Sequence, residues 1–155
     1  MKGIHFVLLI CLVLLIGMHA GDDYDVYSND GIRIRNYEVG DIVRVYIKDQ
    51  QMIQIVDTTA YHDHLIFAVI IESGEITDVN IISHQETEDY GDYIETDWFR
   101  ERLLLSCYKP LEVVKLSKEA SNQVVAITGA TITSRAVVNG INDSIENYWR
   151  YLDEN

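Results

Sequence analysis

The chain has 155 residues, an apolar content of 48% and a formal net charge of −13. This length suits one domain with a short appendage, and the plentiful aromatic and β-branched residues exclude a disordered chain. The negative charge argues against nucleic acid and anionic membrane surfaces as partners and is otherwise typical of a solvated exterior. No Cys-x-x-Cys or Cys/His spacing indicates a zinc site, and we predict no metal.

The N-terminus predicts export. Lys2 supplies a positive charge, and residues 6–18 form an almost unbroken apolar run. The run is short for a membrane span and has the length of a signal-peptide core. Residues 1–20 are therefore predicted to be a signal peptide or an uncleaved N-terminal membrane anchor. Either one places the domain in the periplasm or on the outer face of the cytoplasmic membrane. Residues 21–30 are acidic and aperiodic, which predicts a linker. Without the leader, Cys107 has no partner for an internal disulfide.

Residues 31–155 predict an α+β fold, in which an antiparallel sheet with a β-hairpin is packed by a few helices. Short stretches rich in Ile and Val, of which residues 32–35 and 41–47 alternate, are typical of strands. Ser73 and Gly74 separate two such stretches and predict a tight hairpin, hence antiparallel pairing. The predicted strands are residues 32–35, 41–47, 51–56, 65–72 and 75–83.

Two helices are predicted after the hairpin. The first begins at Asp92, where Glu95 completes a capping box, and ends before Pro110, the only proline of the chain. The second covers residues 132–152, where apolar residues recur every three or four positions. Gly140 inside this helix predicts close packing against the sheet. Two short apolar pieces precede the last helix, residues 113–116 and 123–127.

The stretch before the last helix is rich in hydroxyl side chains. The first N–H groups of a helix lack internal partners, and the helix dipole adds partial positive charge there. A glycine lets the backbone approach a ligand closely, so this turn suits a phosphate group. A plain N-cap turn explains the same residue types equally well, and both interpretations remain open. The candidate ligand-binding residues are Thr128, Gly129, Ala130, Thr131, Thr133 and Ser134.

Other candidate sites are weaker. His62, His64 and His84 lack carboxylates at a defined spacing, so they are interpreted as surface or hairpin-end histidines rather than metal ligands. A hydrolase is not supported either, since Ser134 has neither a nucleophile elbow nor a recognisable triad context.

Two motifs resemble those of the FMN-binding domain family, which includes the flavin-carrying G subunit of Rnf electron-transport complexes and the C subunit of the sodium-pumping NADH:quinone reductase. The stretch 128–134, Thr-Gly-Ala-Thr-Ile-Thr-Ser, resembles the family's flavin-attachment motif. The resemblance covers most of the chain after about Leu65. Val125 departs from it, because the motif usually has Asp there. The residues that match the second motif in order and spacing are His84, Glu86, Thr87, Gly91, Asp92, Trp98 and Phe99. The departures from it are Glu88, Asp89 and Tyr90, where the family commonly has Pro, Gly and Leu.

The resemblance implies FMN as the cofactor. In the family, a flavin transferase moves FMN from FAD onto the last threonine of the motif, here Thr131, as a phosphoester. Gly129 and Ala130 would then pack beneath the phosphate, and the loop containing Glu86, Thr87 and Gly91 would face the isoalloxazine. Non-covalent FMN binding is the alternative, because Val125 departs from the motif.

The implied function is that of an exported FMN-carrying electron-transfer domain. It would relay electrons for a membrane redox complex or another extracytoplasmic electron-transfer protein, as an electron carrier or subunit rather than a stand-alone enzyme. The alternative is a non-redox extracytoplasmic binding module that retains the fold without covalent flavin.

Overall fold

The computed structural model describes residues 23–155, so the predicted signal or anchor lies outside it. A five-stranded antiparallel sheet has its strands in chain order, β1 to β5. Together with a long C-terminal helix it forms the α+β fold that the sequence predicts. The strands are β1, Ile32–Arg33; β2, Ile42–Lys48; β3, Gln51–Thr59; β4, His64–Glu72; and β5, Glu75–Ser83.

The predicted hairpin is formed by β4 and β5. Ser73 and Gly74 connect the strands, and both have left-handed backbone angles, with φ of 53° and 79°. Two such residues in a row give a turn whose twist matches that of the strands. Glu72 and Glu75 pair directly across it.

Helix α2, Thr131–Glu154, covers one face of the sheet, and a short helix, α1, Asp97–Arg100, precedes it in the chain. Gly140 allows α2 to approach closely, because a Cβ atom at this position would lie 2.7 Å from Cζ of Phe67 and 2.8 Å from Cγ1 of Val56. The close packing predicted for this glycine is confirmed. No helix within residues 23–155 is long and apolar enough to cross a membrane.

The opposite face of the sheet is covered by residues 23–30, which we call the N-terminal strap. Tyr24 donates a hydrogen bond to Asp57 at 2.5 Å, and Arg44 donates one to Asp25 at 2.9 Å. The sequence predicts a linker here, and the structure shows that residues 23–30 pack on the sheet. The sequence gives no sign of this packing, because residues 23–30 form turns and turns have no apolar periodicity. The buried apolar residues of this face are Tyr46, Ile53, Ile55, Ile66 and Ala68.

The prediction of a long helix that begins at Asp92 is wrong. Residues Gly91–Glu95 form a 3-10 helix, α1 has only four residues, and Thr96 between them is extended. Asp92 does not cap either one. Beyond α1 the backbone N–H of Ile76 donates to the carbonyl of Leu105 at 3.0 Å. This pairing with the start of β5 replaces the helical hydrogen bonds.

Two short strands bring the chain back to α2. Strands β6, Glu112–Val114, and β7, Gln123–Val125, pair in parallel. They lie within the two apolar pieces that precede the last helix in the sequence, except for Glu112. Cys107, before β6, is buried, and burial raises the pKa of its thiol to about 12. It is therefore an inert core residue under neutral conditions.

Candidate functional site

The two sequence motifs meet in one cleft. Its volume is about 440 Å³, within the range of about 300–1,000 Å³ that small-molecule and cofactor sites occupy. One wall is the turn that enters α2, and the other is the loop after β5. The residues that line the cleft are Tyr61, Glu86, Thr87, Tyr90, Gly91, Gly129, Ala130, Thr131, Ile132 and Thr133.

The start of α2 has no side-chain cap. Thr131 is the first helical residue, and Ala130 occupies the N-cap position, where it offers no acceptor. The first turn contains no acidic residue. The first N–H groups and the positive end of the helix dipole are therefore left to another anionic or polar partner. A plain N-cap turn would carry Ser, Thr, Asp or Asn at this position, so the geometry favours a phosphate site over that alternative.

Gly129 shapes the same turn. Its φ of 84° lies in the left-handed region, which is strained for most other residues. A Cβ atom here would lie 2.7 Å from Cδ1 of Tyr90. Both the backbone angle and the neighbouring ring therefore require glycine.

Glu86 joins the opposite wall to α2. Its Oε2 accepts a hydrogen bond from the hydroxyl of Thr133 at 2.5 Å. Its Oε1 accepts from the backbone N–H groups of Tyr61, at 3.0 Å, and His62, at 3.2 Å. A Cβ atom on Gly91 would lie 2.5 Å from Oε2, so glycine is needed beside the carboxylate. Glu86 thus connects the β3–β4 turn, the loop and the helix.

Thr87 closes the loop on itself. Its carbonyl oxygen accepts from the N–H groups of Tyr90, Gly91 and Asp92, at 3.2, 3.0 and 3.3 Å. Its hydroxyl oxygen lies 2.7 Å from Nε2 of His62, within hydrogen-bond distance. The loop is therefore a tight, internally bonded turn.

Not every predicted site residue presents its polar side chain to the cleft. Thr128 is exposed and lies outside the lining. Ser134 is fully buried: its hydroxyl accepts from the N–H of Ile127 at 3.0 Å and donates to the carbonyl of Ala130 at 2.9 Å. Thr133 is 1% exposed. Ser134 and Thr133 therefore hold the turn and Glu86 in place instead of presenting hydroxyl donors to a ligand.

The histidines stabilise the loops. His84 accepts from the N–H of Glu86 at 3.0 Å, and its other ring nitrogen lies 3.0 Å from a carboxylate oxygen of Glu95. His64 lies at the end of the hairpin formed by β3 and β4, where a hydrogen bond with Asp57 raises its pKa.

Sequence reasoning missed three residues that line the cleft: Tyr61, Tyr90 and Ile132. All three are more than half exposed. Tyr90 and Ile132 lie within the two motifs but were not predicted to bind, and Tyr61 lies outside both motifs, so only the folded structure places all three at the cleft.

The sequence profile described as the FMN-binding domain matches residues 60–146. This chain belongs to that family. The matched segment contains every residue that lines the cleft.

Individual relatives agree with this assignment. The chain is 42% identical over 80 residues to the G subunit of the Na(+)-translocating ferredoxin:NAD(+) oxidoreductase complex of Acetobacterium woodii, an alignment that covers 51% of this chain and 39% of the relative. It is 35% identical over 81 residues to the G subunit of the proton-translocating ferredoxin:NAD(+) oxidoreductase complex of Clostridium ljungdahlii. That alignment covers 52% of this chain and 43% of the relative. The matches thus span less than half the length of these relatives.

Solved structures show the same fold. The C subunit of the Na(+)-translocating NADH-quinone reductase from Parabacteroides distasonis superposes with a TM-score of 0.59 at 22% identity, covering 70% of this chain and 61% of that one. NqrC from Shewanella oneidensis superposes with a TM-score of 0.57 at 16% identity, covering 72% of this chain and 61% of that one.

Proposed function

We propose that this chain is an exported FMN-carrying electron-transfer domain with the flavin attached through its phosphate to Thr131. The observation that carries the proposal is the position of Thr131. It begins an uncapped helix and lines the same cleft as Glu86 and Thr87. The relatives are subunits of ion-translocating oxidoreductase complexes, which supports a role in a membrane redox system.

The attachment is a group transfer without oxidation or reduction. The side-chain oxygen of Thr131 would form a bond to the phosphorus of FMN, and the phosphoanhydride bond that joins FMN to AMP in FAD would break. The hydroxyl proton leaves and AMP is released. A flavin transferase is the catalyst that we propose as the maturation partner.

The residues of the turn fit this step. The first N–H groups of α2 and the helix dipole would stabilise the phosphate charge, and Gly129 supplies the left-handed backbone angle of the turn that precedes them. FMN, when bound, supplies one- and two-electron transfer. A tether retains the flavin between turnovers, because rebinding becomes intramolecular.

The carboxylates beside the cleft favour a low reduction potential. Glu86, Glu88 and Asp89 lie on the loop that forms one wall or next to it. Their negative charge disfavours an anionic reduced flavin. A redox titration of the flavin-loaded chain should therefore give a potential below that of free FMN. The double variant Glu88→Gln/Asp89→Asn should raise it. A wild-type value well above that of free FMN would contradict this reasoning.

The attachment is tested by co-expressing the full chain with a flavin transferase. The denatured wild-type band should fluoresce on a gel, and Thr131→Ala should abolish the signal. Thr77→Ala is the control, because Thr77 is an exposed threonine outside both motifs, so its band should stay bright. A dark wild-type band from a yellow native protein would indicate non-covalent FMN. A dark band from a colourless protein would exclude FMN altogether.

A second candidate is a non-redox binding module with the same fold. The observation that favours it is Val125, which stands where the attachment motif usually has Asp. Val125 lies in β7, outside the cleft lining, and its carbonyl accepts from Nη1 of Arg102 at 3.1 Å. This function requires that, in the same experiment, the native protein is colourless and the denatured band does not fluoresce.

Export is the remaining part of the proposal. It is supported by Lys2 and the apolar run of residues 6–18. In expressing cells, a tag at the C-terminus should be digested by protease added to spheroplasts with an intact cytoplasmic membrane. A tag that stays protected until the cells are lysed would contradict export.

A further inference from the structure

The side chain of Tyr90 lies on the turn that carries Thr131. A Cβ atom built on Gly129 would be 2.7 Å from Cδ1 and 3.1 Å from Cε1 of the Tyr90 ring. The ring is therefore in direct contact with the backbone of Gly129. It also lines the cleft and is 55% exposed. Core packing does not account for an aromatic ring in this position.

The backbone just before Tyr90 has an uncommon conformation. Asp89 has a φ of 64°, in the left-handed region that few non-glycine residues adopt. The hydrogen bonds to the carbonyl of Thr87 hold the chain in this conformation. A left-handed residue retained beside a cleft points to a role in binding.

We propose that Tyr90 is the residue of this chain that contacts the ring system of the flavin, an inference that rests on the proposed function. Gly129, beneath the tyrosine ring, is two positions before Thr131, so a flavin tethered at Thr131 starts beside this aromatic surface. Aromatic rings attract each other in offset or edge-to-face contact.

The other aromatic residue of the cleft is less suitable. The ring of Tyr61 packs edge to face against His62, with centroids 4.8 Å apart and an angle of 79°. Its backbone N–H is bonded to Glu86. Tyr61 is therefore engaged with the β3–β4 turn, whereas Tyr90 contacts the attachment turn itself.

The contact has a spectroscopic signature. A phenol ring in contact with an excited flavin donates an electron to it, and the electron returns to the phenol radical before any net reaction. The fluorescence of the flavin is quenched, with no oxidant or reductant consumed. The contact also places the flavin in a chiral surrounding, which gives circular dichroism in its visible absorption bands.

The test compares the full chain and its variants after loading by a flavin transferase with FAD, with every signal normalised to bound flavin. Tyr90→Leu should raise the native fluorescence several-fold and weaken the visible circular dichroism. Tyr90→Phe keeps a ring on Gly129 but is a poorer electron donor, so it should raise the fluorescence and keep the circular dichroism. Tyr108→Leu, at an exposed tyrosine outside the cleft lining, should leave both signals near wild type.

The outcomes separate this inference from the proposed function. A loaded Tyr90→Leu chain with the fluorescence and circular dichroism of wild type would overturn the role of Tyr90 and leave the flavin assignment intact. A signal that responds to Tyr61→Leu instead would overturn it in the same way. Wild-type protein without any flavin, in the native or the denatured state, would overturn both.

Discussion

The hydrogen bond between Thr133 and Glu86 should be the contact that fixes the cleft walls together, and Thr133→Val tests it. Valine keeps the branched shape and the volume but removes the hydroxyl, so Oε2 of Glu86 loses its donor at 2.5 Å. A hydrogen bond to a charged group contributes about 1.5–3 kcal/mol. Glu86 is only half-buried and keeps two backbone donors, which reduces the loss to about 1–2 kcal/mol.

Urea and thermal unfolding measure this loss. In a domain of this size it corresponds to a fall in Tm of roughly 3–8 °C. Thr77→Val is the matched control, because that hydroxyl also donates a hydrogen bond, to the carbonyl of Ile70 at 3.2 Å, but at an exposed site. It should cost less than about 0.5 kcal/mol.

A double-mutant cycle with Glu86→Gln then separates the pair from its surroundings. Two residues in direct contact should show a coupling energy of at least about 0.5 kcal/mol. The reasoning is refuted if Thr133→Val is as mild as Thr77→Val, or if the effects of Thr133→Val and Glu86→Gln simply add.

Three further predictions concern the helix, the strap and the attachment motif. Gly140→Ala should destabilise the domain by about 1–3 kcal/mol in urea unfolding, because the new methyl group collides with Phe67; a stabilised variant would show that α2 can move away from the sheet. The hydrogen bond from Arg44 lowers the pKa of Asp25. Its stabilisation of the docked strap is therefore present above the ordinary pKa of an aspartate and is lost as the pH falls through the lowered pKa. Limited proteolysis should therefore release the N-terminal strap in acid with a pH dependence that Arg44→Met weakens, since only the hydrogen bond from Tyr46 then remains on Asp25, and an unchanged profile in that variant would contradict the assignment. Val125→Asp should increase the covalently flavinylated fraction measured by gel fluorescence, and an unchanged fraction would show that this position does not limit recognition by the transferase.

The hairpin of β4 and β5 could be predicted from the sequence because its information is local. A run rich in Ile and Val marks each strand, and Ser73 and Gly74 mark the turn. The same holds for α2, in which one apolar stripe extends over many turns. Patterns that repeat over nine or more residues leave few alternatives.

The region after Gly91 could not be predicted in the same way. Trp98, Phe99 and Leu103 have helical spacing, yet only Phe99 and Leu103 are buried and the helix ends after a single turn. The competing interaction is remote in sequence: Leu105 pairs with Ile76 at the start of β5. Local propensity does not contain the free energy of that pairing.

The hydroxyl groups at the start of α2 show why composition points to this turn as a candidate site but not to the role of each residue. Successive helical residues point about 100° apart around the axis, so neighbours in the motif meet different surroundings. Ser134 points inward and bonds to the backbone of the turn, and Thr133 bonds to Glu86. Thr131 is half-buried in the cleft wall. The hydroxyls of Ser134 and Thr133 are already hydrogen-bonded within the fold, whereas Thr131 has neither of those structural contacts. The burial and hydrogen bonding of its two neighbours would direct a transferase to Thr131.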